Sequence, residues 1–325
     1  MQKIFENILQ TIGNTPLVRL NEVVKDLPCK VYAKLELTNP GSSIKDRMAL
    51  KMILDAEHQG KLKEGYTVIE STSGNTGLGI AIVCAVKKYR CILTVKEKTS
   101  KEKVDLLKAY GAEVILCPSD VDPNDEKSCY SVAKNLSEQI PNSIYLNQYD
   151  NISNPIGYYE TIAPEIWEQT EGKISHLVAA AGTGGTLMGI SKYLKEKNKE
   201  IKVWAVEPFG SLLKTFHEKG KVDENEVYPY LVEGFGQSFL PSIYDMSFID
   251  EFFKVTDSEA TLKARDITKK EGIMVGFSTG ALLSVLLANK DRFNENNTVV
   301  LIFHDNGVKY LSKIFNQDWL SKHIT

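Results

Sequence analysis

The chain has 325 residues, 42% of them apolar and 25% charged, with a formal net charge of −3. That balance is ordinary for globular proteins. It argues against collagen-like, disordered and coiled-coil chains and gives no basic footprint for nucleic acid. The length corresponds to roughly two domains at about 150 residues each, enough for a sizeable core without disulfides or structural metal.

The five cysteines (Cys29, Cys84, Cys91, Cys117, Cys129) have no C-x-x-C spacing, so neither a disulfide framework nor a zinc site is expected. All but Cys129 lie in or beside apolar runs, where a reduced, buried thiol is the default. The first six residues lack the apolar core of a signal peptide, and the apolar stretches 80–86 and 281–288 fall well short of the ~20 residues of a membrane span. A cytoplasmic protein acting on small molecules, away from membranes and nucleic acid, is the expectation.

In chain order, strands are predicted over residues 31–37, 67–70, 91–95, 113–117, 144–148, 176–181, 203–207 and 299–304. Helical patterns fall between them, over 48–59, 78–86, 101–110, 130–139, 187–197 and 281–288. Runs such as Leu177-Val178-Ala179-Ala180-Ala181 are apolar throughout, as strands buried on both faces of a parallel sheet must be. The alternation predicts an α/β fold. Pattern alone places no domain boundary.

The nucleoside-triphosphate loop, the G-x-G-x-x-G turn and H-E-x-x-H are all absent. Four loops rich in Gly, Ser and Thr remain, each following a strand-like run and most opening a helix, where doubly wound sheets bind ligands. The first, 39–47, leads into a helix with Ser42 or Ser43 as its predicted N-cap, Asp46 completing a partial capping box and Lys45 in the first turn. A cation there opposes the helix dipole, which lowers its pKa towards what Schiff-base chemistry needs. Most lysines are simply solvated, so the other loops must supply the context.

The second loop, 70–77, sets Ser71, Thr72, Ser73, Asn75 and Thr76 at a helix start, more donors than a cap requires and suited to a carboxylate. The third, Gly182-Thr183-Gly184-Gly185-Thr186, suits a phosphate and holds no lysine, which favours a cofactor monophosphate over ATP. The fourth, Gly276-Phe277-Ser278-Thr279-Gly280, matches the G-x-S-x-G nucleophile elbow, but His304 and His323 leave a thin basis for a hydrolase triad. A lysine for an aldehyde, a phosphate loop and a carboxylate loop together suit pyridoxal 5′-phosphate and an amino-acid substrate.

At these residues the chain resembles the fold-type II pyridoxal-phosphate enzymes of the cysteine synthase/cystathionine β-synthase family. The likeness runs from Thr11-Ile12-Gly13-Asn14-Thr15-Pro16 to Trp319 and is most specific at 39–47, 72–77, 182–186 and 271–280. Residues 229–236, 89–104 and 310–319 lean towards a cystathionine β-synthase catalytic core, without the regulatory domains or haem segment that many such proteins carry.

The resemblance implies the tryptophan synthase β-like arrangement: two α/β domains with open, mainly parallel twisted sheets flanked by helices. Residues 47–152 would form a smaller, mobile substrate-carboxylate domain, and 1–46 with 153–325 a larger cofactor-binding one. It also implies that Lys45 forms the Schiff base and serves as the catalytic acid–base. Asn75, the 182–186 loop (Gly182, Thr183, Gly184, Gly185, Thr186) and Ser278 would hold the cofactor, with Ser278 at the pyridine nitrogen. Thr72, Ser73, Thr76 and Gln148 would receive the substrate carboxylate, and Tyr149, Glu233, Gly234 and Gly236 would border the second substrate.

The implied reaction is β-replacement at serine or O-acetylserine through an α-aminoacrylate, with homocysteine giving cystathionine. Cysteine synthase chemistry with sulfide, or a cysteine-consuming, sulfide-releasing replacement, is the near alternative. A serine hydrolase or a non-catalytic binding relative is more remote. A homodimer is usual in the family. The chain departs from the family pattern at Ser42, Ser71, Lys96 and Phe277, the last adding bulk expected to lie beside the cofactor ring.

Overall fold

A computed structural model describes residues 4–72 and 74–324. Its strands are β1 (Leu17–Arg19), β2 (Lys30–Leu35), β3 (Thr67–Ser71), β4 (Arg90–Lys96), β5 (Glu113–Cys117), β6 (Ser143–Tyr145), β7 (His176–Ala180), β8 (Lys202–Pro208), β9 (Glu251–Val255) and β10 (Thr298–Phe303). The helices begin with α1 (Lys45–His58), α2 (Asn75–Lys87), α3 (Lys101–Ala109), α4 (Cys129–Gln139), α5 (Ser153–Glu160) and α6 (Ile162–Gln169). They continue with α7 (Gly185–Lys197), α8 (Leu213–Lys219), α9 (Asp257–Glu271), α10 (Phe277–Ala288) and α11 (Gln317–His323).

The chain forms two compact units. The first takes the described residues up to Ile12 and Asn39–Gly157. It is built on a four-stranded, all-parallel sheet in the order β5-β4-β3-β6. β3 lies at its middle with every residue buried, so its run Thr67-Val68-Ile69-Glu70-Ser71 is covered on both faces. The second unit takes Gly13–Thr38 and Tyr158 onward. Its six-stranded sheet runs β1-β2-β10-β7-β8-β9, parallel except for β1 against β2. Its core gathers Val178, Trp204, Phe277, Leu283, Leu301 and Phe303.

The compact units differ from the implied boundary at 46/47. That cut would pass through the first turn of α1, whereas Asp46 accepts a hydrogen bond from the Gly41 backbone and ties the 39–44 loop to its helix. The predicted cap is shifted: Ile44 occupies the N-cap position, and the Ser43 hydroxyl, one residue earlier, accepts from the Lys45 amide at 3.4 Å. Asp46 is drawn to Gly41 instead, while Ser42 adopts a left-handed φ of 56°. β1 and β9 were not predicted. β1 is a three-residue edge strand, and β9 carries Glu251 and Lys254 among its five residues, which blurs any apolar run. β6 stops at Tyr145, short of the predicted 148, because Asn147 turns left-handed at φ 50°. The Gln148 amide then leaves the ladder for the Glu70 carboxylate.

All five cysteines are free and buried; the apolar contexts predict this for Cys29, Cys84, Cys91 and Cys117, and Cys129 joins them. Among the described residues no helix is long and apolar enough to cross a membrane, and no cluster of His, Cys, Asp or Glu is arranged to hold a metal.

Candidate functional site

In the first unit, Lys45 opens α1 and is half-buried. α2 packs closely on that turn: a Cβ at Gly79 would lie 3.2 Å from the Lys45 carbonyl oxygen and 3.1 Å from Ala49 Cβ. Gly79 stands one helical turn after Asn75, so the second turn of α2 packs on the lysine's own turn and Asn75 lies one turn, about 5.4 Å of rise, from that contact.

The polar loop between β3 and α2 leads into a helix whose N-cap, Gly74, makes no side-chain capping bond. α2 is a 13-residue helix, and the start of such a helix is where backbone amides favour an anion. Thr72 Oγ1 accepts a hydrogen bond from the Gly74 amide at 3.3 Å. The Thr76 hydroxyl donates to Gln148 Oε1 at 2.8 Å, and Gln148 Nε2 donates to the Ser71 carbonyl at 3.2 Å. Thr76, Gln148 and the Ser71 carbonyl therefore form one connected chain, with Thr72 bonded separately to Gly74. Ser73 lies outside the described residues.

Beneath them Glu70 is fully buried. Its Oε1 accepts from the Ser71 amide at 3.0 Å and its Oε2 from the Gln148 amide at 3.3 Å. Burial pushes the Glu70 carboxyl up to about 8 even though these amide bonds pull the other way. Tyr149, next to Gln148, meets Tyr130 edge-on at 5.6 Å, and burial raises its hydroxyl well above the usual tyrosine value.

In the second unit β7 runs into Gly182 and Thr183, and Gly184 caps α7 with φ 98° and no side-chain bond. Another 13-residue helix thus offers open amides, here in a buried first turn formed by Gly185 and Thr186. The Tyr244 hydroxyl donates to the Gly182 carbonyl at 3.0 Å, turning that oxygen into the protein. A Cβ at Gly184 would sit 2.7 Å from the Tyr244 ring, so both backbone conformation and space demand glycine there.

The 233–236 segment lies along this loop: the Gly236 amide donates to the Ala181 carbonyl at 2.6 Å, and a Cβ at Gly182 would reach the Gly234 carbonyl oxygen at 3.5 Å. Glu233 forms an ion pair with Lys313 at 2.6 Å.

Ser278 sits in the first turn of α10, 5% exposed, and its hydroxyl makes no hydrogen bond among the described residues. No strand leads into it, since Val275 makes only an isolated bridge to Asn306, so the strand–turn–helix of a nucleophile elbow is lacking. The two glycines around it answer to packing. A Cβ at Gly276 would fall 2.2 Å from Asp305 Oδ1, and one at Gly280 would fall 1.9 Å from the Ala260 carbonyl oxygen of α9. Phe277, expected beside a cofactor ring, is instead fully buried in the core, edge-on to Tyr310 at 5.2 Å and to Trp319 at 6.2 Å.

These features fit pyridoxal 5′-phosphate. The uncapped start of α7 suits a phosphate, the unpartnered hydroxyl of Ser278 suits a ring nitrogen, and Lys45 on a helix start suits an aldehyde. Sequence reasoning missed Glu70 and Tyr244. A charge inside the run Val68-Ile69-Glu70 is a legible anomaly for the first. Tyr244 lies 62 residues from the glycine it holds, and nothing local marks it.

The chain is 44% identical over 320 residues to the cystathionine beta-synthase of Apis mellifera, covering 98% of itself and 63% of that protein. It therefore spans under two thirds of that relative's length. It is 40% identical over 312 residues to a cysteine synthase of Staphylococcus aureus, covering 96% of itself and 97% of that protein. Among solved structures it is similar to an O-acetylserine dependent cystathionine beta-synthase from Helicobacter pylori, with a TM-score of 0.86 and 35% identity over 96% of this chain and 99% of that one. The pyridoxal-phosphate dependent enzyme family matches residues 8–305, and to that family of fold-type II enzymes the chain belongs.

Proposed function

We propose that the protein catalyses β-replacement at serine or O-acetylserine, joining the three-carbon unit to homocysteine to give cystathionine. When bound, the cofactor supplies an aldehyde and an electron sink for the substrate's α-carbon. Lys45 Nζ would hold that aldehyde at rest; once the substrate's amine has displaced it, it would take the proton from Cα and pass it to the leaving oxygen on Cβ, then take the proton that the attacking thiol gives up and return that one to Cα. Thr72, Ser73, Thr76 and Gln148 hold the substrate carboxylate at the start of α2, where the helix dipole favours an anion. Asn75 holds the ring oxygen, and Gly182, Thr183, Gly184, Gly185 and Thr186 hold the phosphate. Ser278 faces the ring nitrogen. A neutral hydroxyl there does not force the ring to be protonated, which keeps the sink mild and favours elimination over transamination.

The observation that carries the thiol assignment is the segment beside the phosphate loop. Glu233 and Lys313 place a negative and a positive group there in one ion pair. Homocysteine brings a charged ammonium and a charged carboxylate for such a pair to recognise, whereas sulfide brings neither. Tyr149 and the backbone of Gly234 and Gly236 border the same substrate. The full-length likeness to a cysteine synthase favours a second reading, in which sulfide is the thiol. The same proposal takes the protein as a cytoplasmic homodimer working in transsulfuration.

Product analysis separates the two readings. Holoenzyme given serine or O-acetylserine with homocysteine should yield cystathionine. Cysteine from sulfide, with no cystathionine from homocysteine, would replace the first reading by the second.

A further inference from the structure

Behind the 72–77 loop stands a carboxylate that the steps above do not use. Glu70 is fully buried at the end of β3 and grips two backbone amides, Ser71 at 3.0 Å and Gln148 at 3.3 Å. Both of its partners continue into the loop's hydrogen-bond cluster. Gln148 takes the Thr76 hydroxyl at 2.8 Å and gives a hydrogen to the Ser71 carbonyl at 3.2 Å. The loop's floor is therefore built on Glu70.

The surroundings are poor in compensating charge. α4 brings Tyr130 and Cys129, β6 brings Tyr145, and the turn after β6 brings Tyr149 and, further out, Asp150. β4 sets apolar Leu93 beside it in register, and Thr76 of α2 reaches it only through Gln148. The tyrosines, the cysteine and the aspartate are all acids, so none of them brings a positive charge, and Glu70 raises the hydroxyls of Tyr130, Tyr145 and Tyr149.

We propose that Glu70 is a positioning residue for the amino-acid substrate: it sets Gln148 and the end of β3 beneath the loop, and the loop takes the substrate carboxylate while Glu70 is uncharged. This rests on the carboxylate role given above to Thr72, Thr76 and Gln148. Two like charges in a poorly solvated site repel strongly, so an arriving carboxylate draws a proton onto the buried one. Burial already holds Glu70 near 8. Below that value the loop accepts an anion without opposition. Above it, the ionised Glu70 opposes the substrate. Linkage is reciprocal, so carboxylate binding near pH 8 must take up protons.

The test uses the holoenzyme and propionate, a carboxylate with no amino group, which stays ionised throughout the range. Calorimetry at pH 8 in two buffers of different ionisation enthalpy reads the protons taken up. Wild type should take up about half a proton per propionate, and its dissociation constant should weaken about three- to tenfold from pH 7 to pH 9. Glu70→Gln, which mimics the uncharged acid, should bind propionate with no uptake and a flat pH profile. Glu70→Asp should keep the pH dependence.

Wild-type binding without proton uptake overturns the proposal, and needs no variant to fold. Uptake that persists in Glu70→Gln overturns it too, since another group would then be the source. The carboxylate role of the loop is read separately with Thr76→Ala. Propionate binding that ignores this change defeats the loop assignment and the Glu70 proposal with it. Binding that weakens in Thr76→Ala but takes up no proton in wild type defeats Glu70 alone.

Discussion

The 72–77 and 182–186 loops solve the same problem by different means. Each follows a strand in a parallel sheet and opens a 13-residue helix whose glycine N-cap makes no side-chain bond. The first loop is lined by hydroxyls and an amide and rests on a buried acid. The second is nearly bare backbone, held from behind by the Tyr244 hydroxyl and ring and by the neighbouring 233–236 backbone. On the proposed function, a backbone cradle fixes a permanent guest, while side chains on a titrating floor suit a substrate that comes and goes. Ligand chemistry is thus written in the loop residues, while rigidity and tuning are written in what lies beneath.

The largest effect separates both loops from the chemistry they serve. Lys45→Ala should lower turnover by roughly 10³-fold or more while leaving phosphate-loop affinity largely intact, read by steady-state rates and by cofactor titration.

The two N-cap glycines then break the apparent symmetry. Gly184→Ala meets both a φ of 98° and the Tyr244 ring 2.7 Å away. It should cost about 2–4 kcal/mol and weaken cofactor binding more than tenfold. Gly74→Ala has φ −151° and nothing within 4 Å of its Cβ, so thermal stability should change by less than about 1 kcal/mol. Equal losses at both glycines would contradict the contrast.

The floor of the first loop should show itself in stability against pH. Glu70 titrates near 8 when folded against 4.5 as the reference, so the folded state binds the extra proton between those values. Wild-type stability should therefore fall as pH rises through that window, by on the order of 2–4 kcal/mol from this group. His176 contributes the opposite slope at lower pH: burial holds its imidazole down to about 4, and stability is lost as pH falls from 6.5 through that value. Comparing Glu70→Gln with wild type in denaturant titrations isolates the carboxylate, and the variant's relative gain should grow as pH rises from 4.5 and level off only above 8.

The smallest effects sharpen local detail. Ser71 Oγ is buried with no hydrogen-bond partner among the described residues, so Ser71→Ala should be neutral or stabilising by up to about 1 kcal/mol. Ser42 sits at φ 56°, and Ser42→Gly should gain about 0.5–1 kcal/mol in the same assay.

What the sequence disclosed follows the same divide. The central strands of the six-stranded sheet were legible because Leu177–Ala181 and Val299–Phe303 are apolar without interruption, and the loops because glycines and hydroxyls crowd at strand ends. Edge strand β9 was not, since Glu251 and Lys254 break its pattern. Phe277 could be read only as bulk beside Ser278; its direction into Tyr310 and Trp319 depends on residues 33 and 42 positions away. The Glu70–Gln148 pairing spans 78 residues, and no local rule reaches that far.

The central claim is that Lys45 holds the cofactor aldehyde for β-replacement. Borohydride reduction of the pyridoxal-phosphate-loaded protein, followed by peptide mapping, tests it most directly. A reduced pyridoxyl group on the peptide containing Lys45, and its disappearance when O-acetylserine is added before the reductant, is the predicted result. Modification of a different lysine, or none despite a full complement of cofactor, would contradict the account.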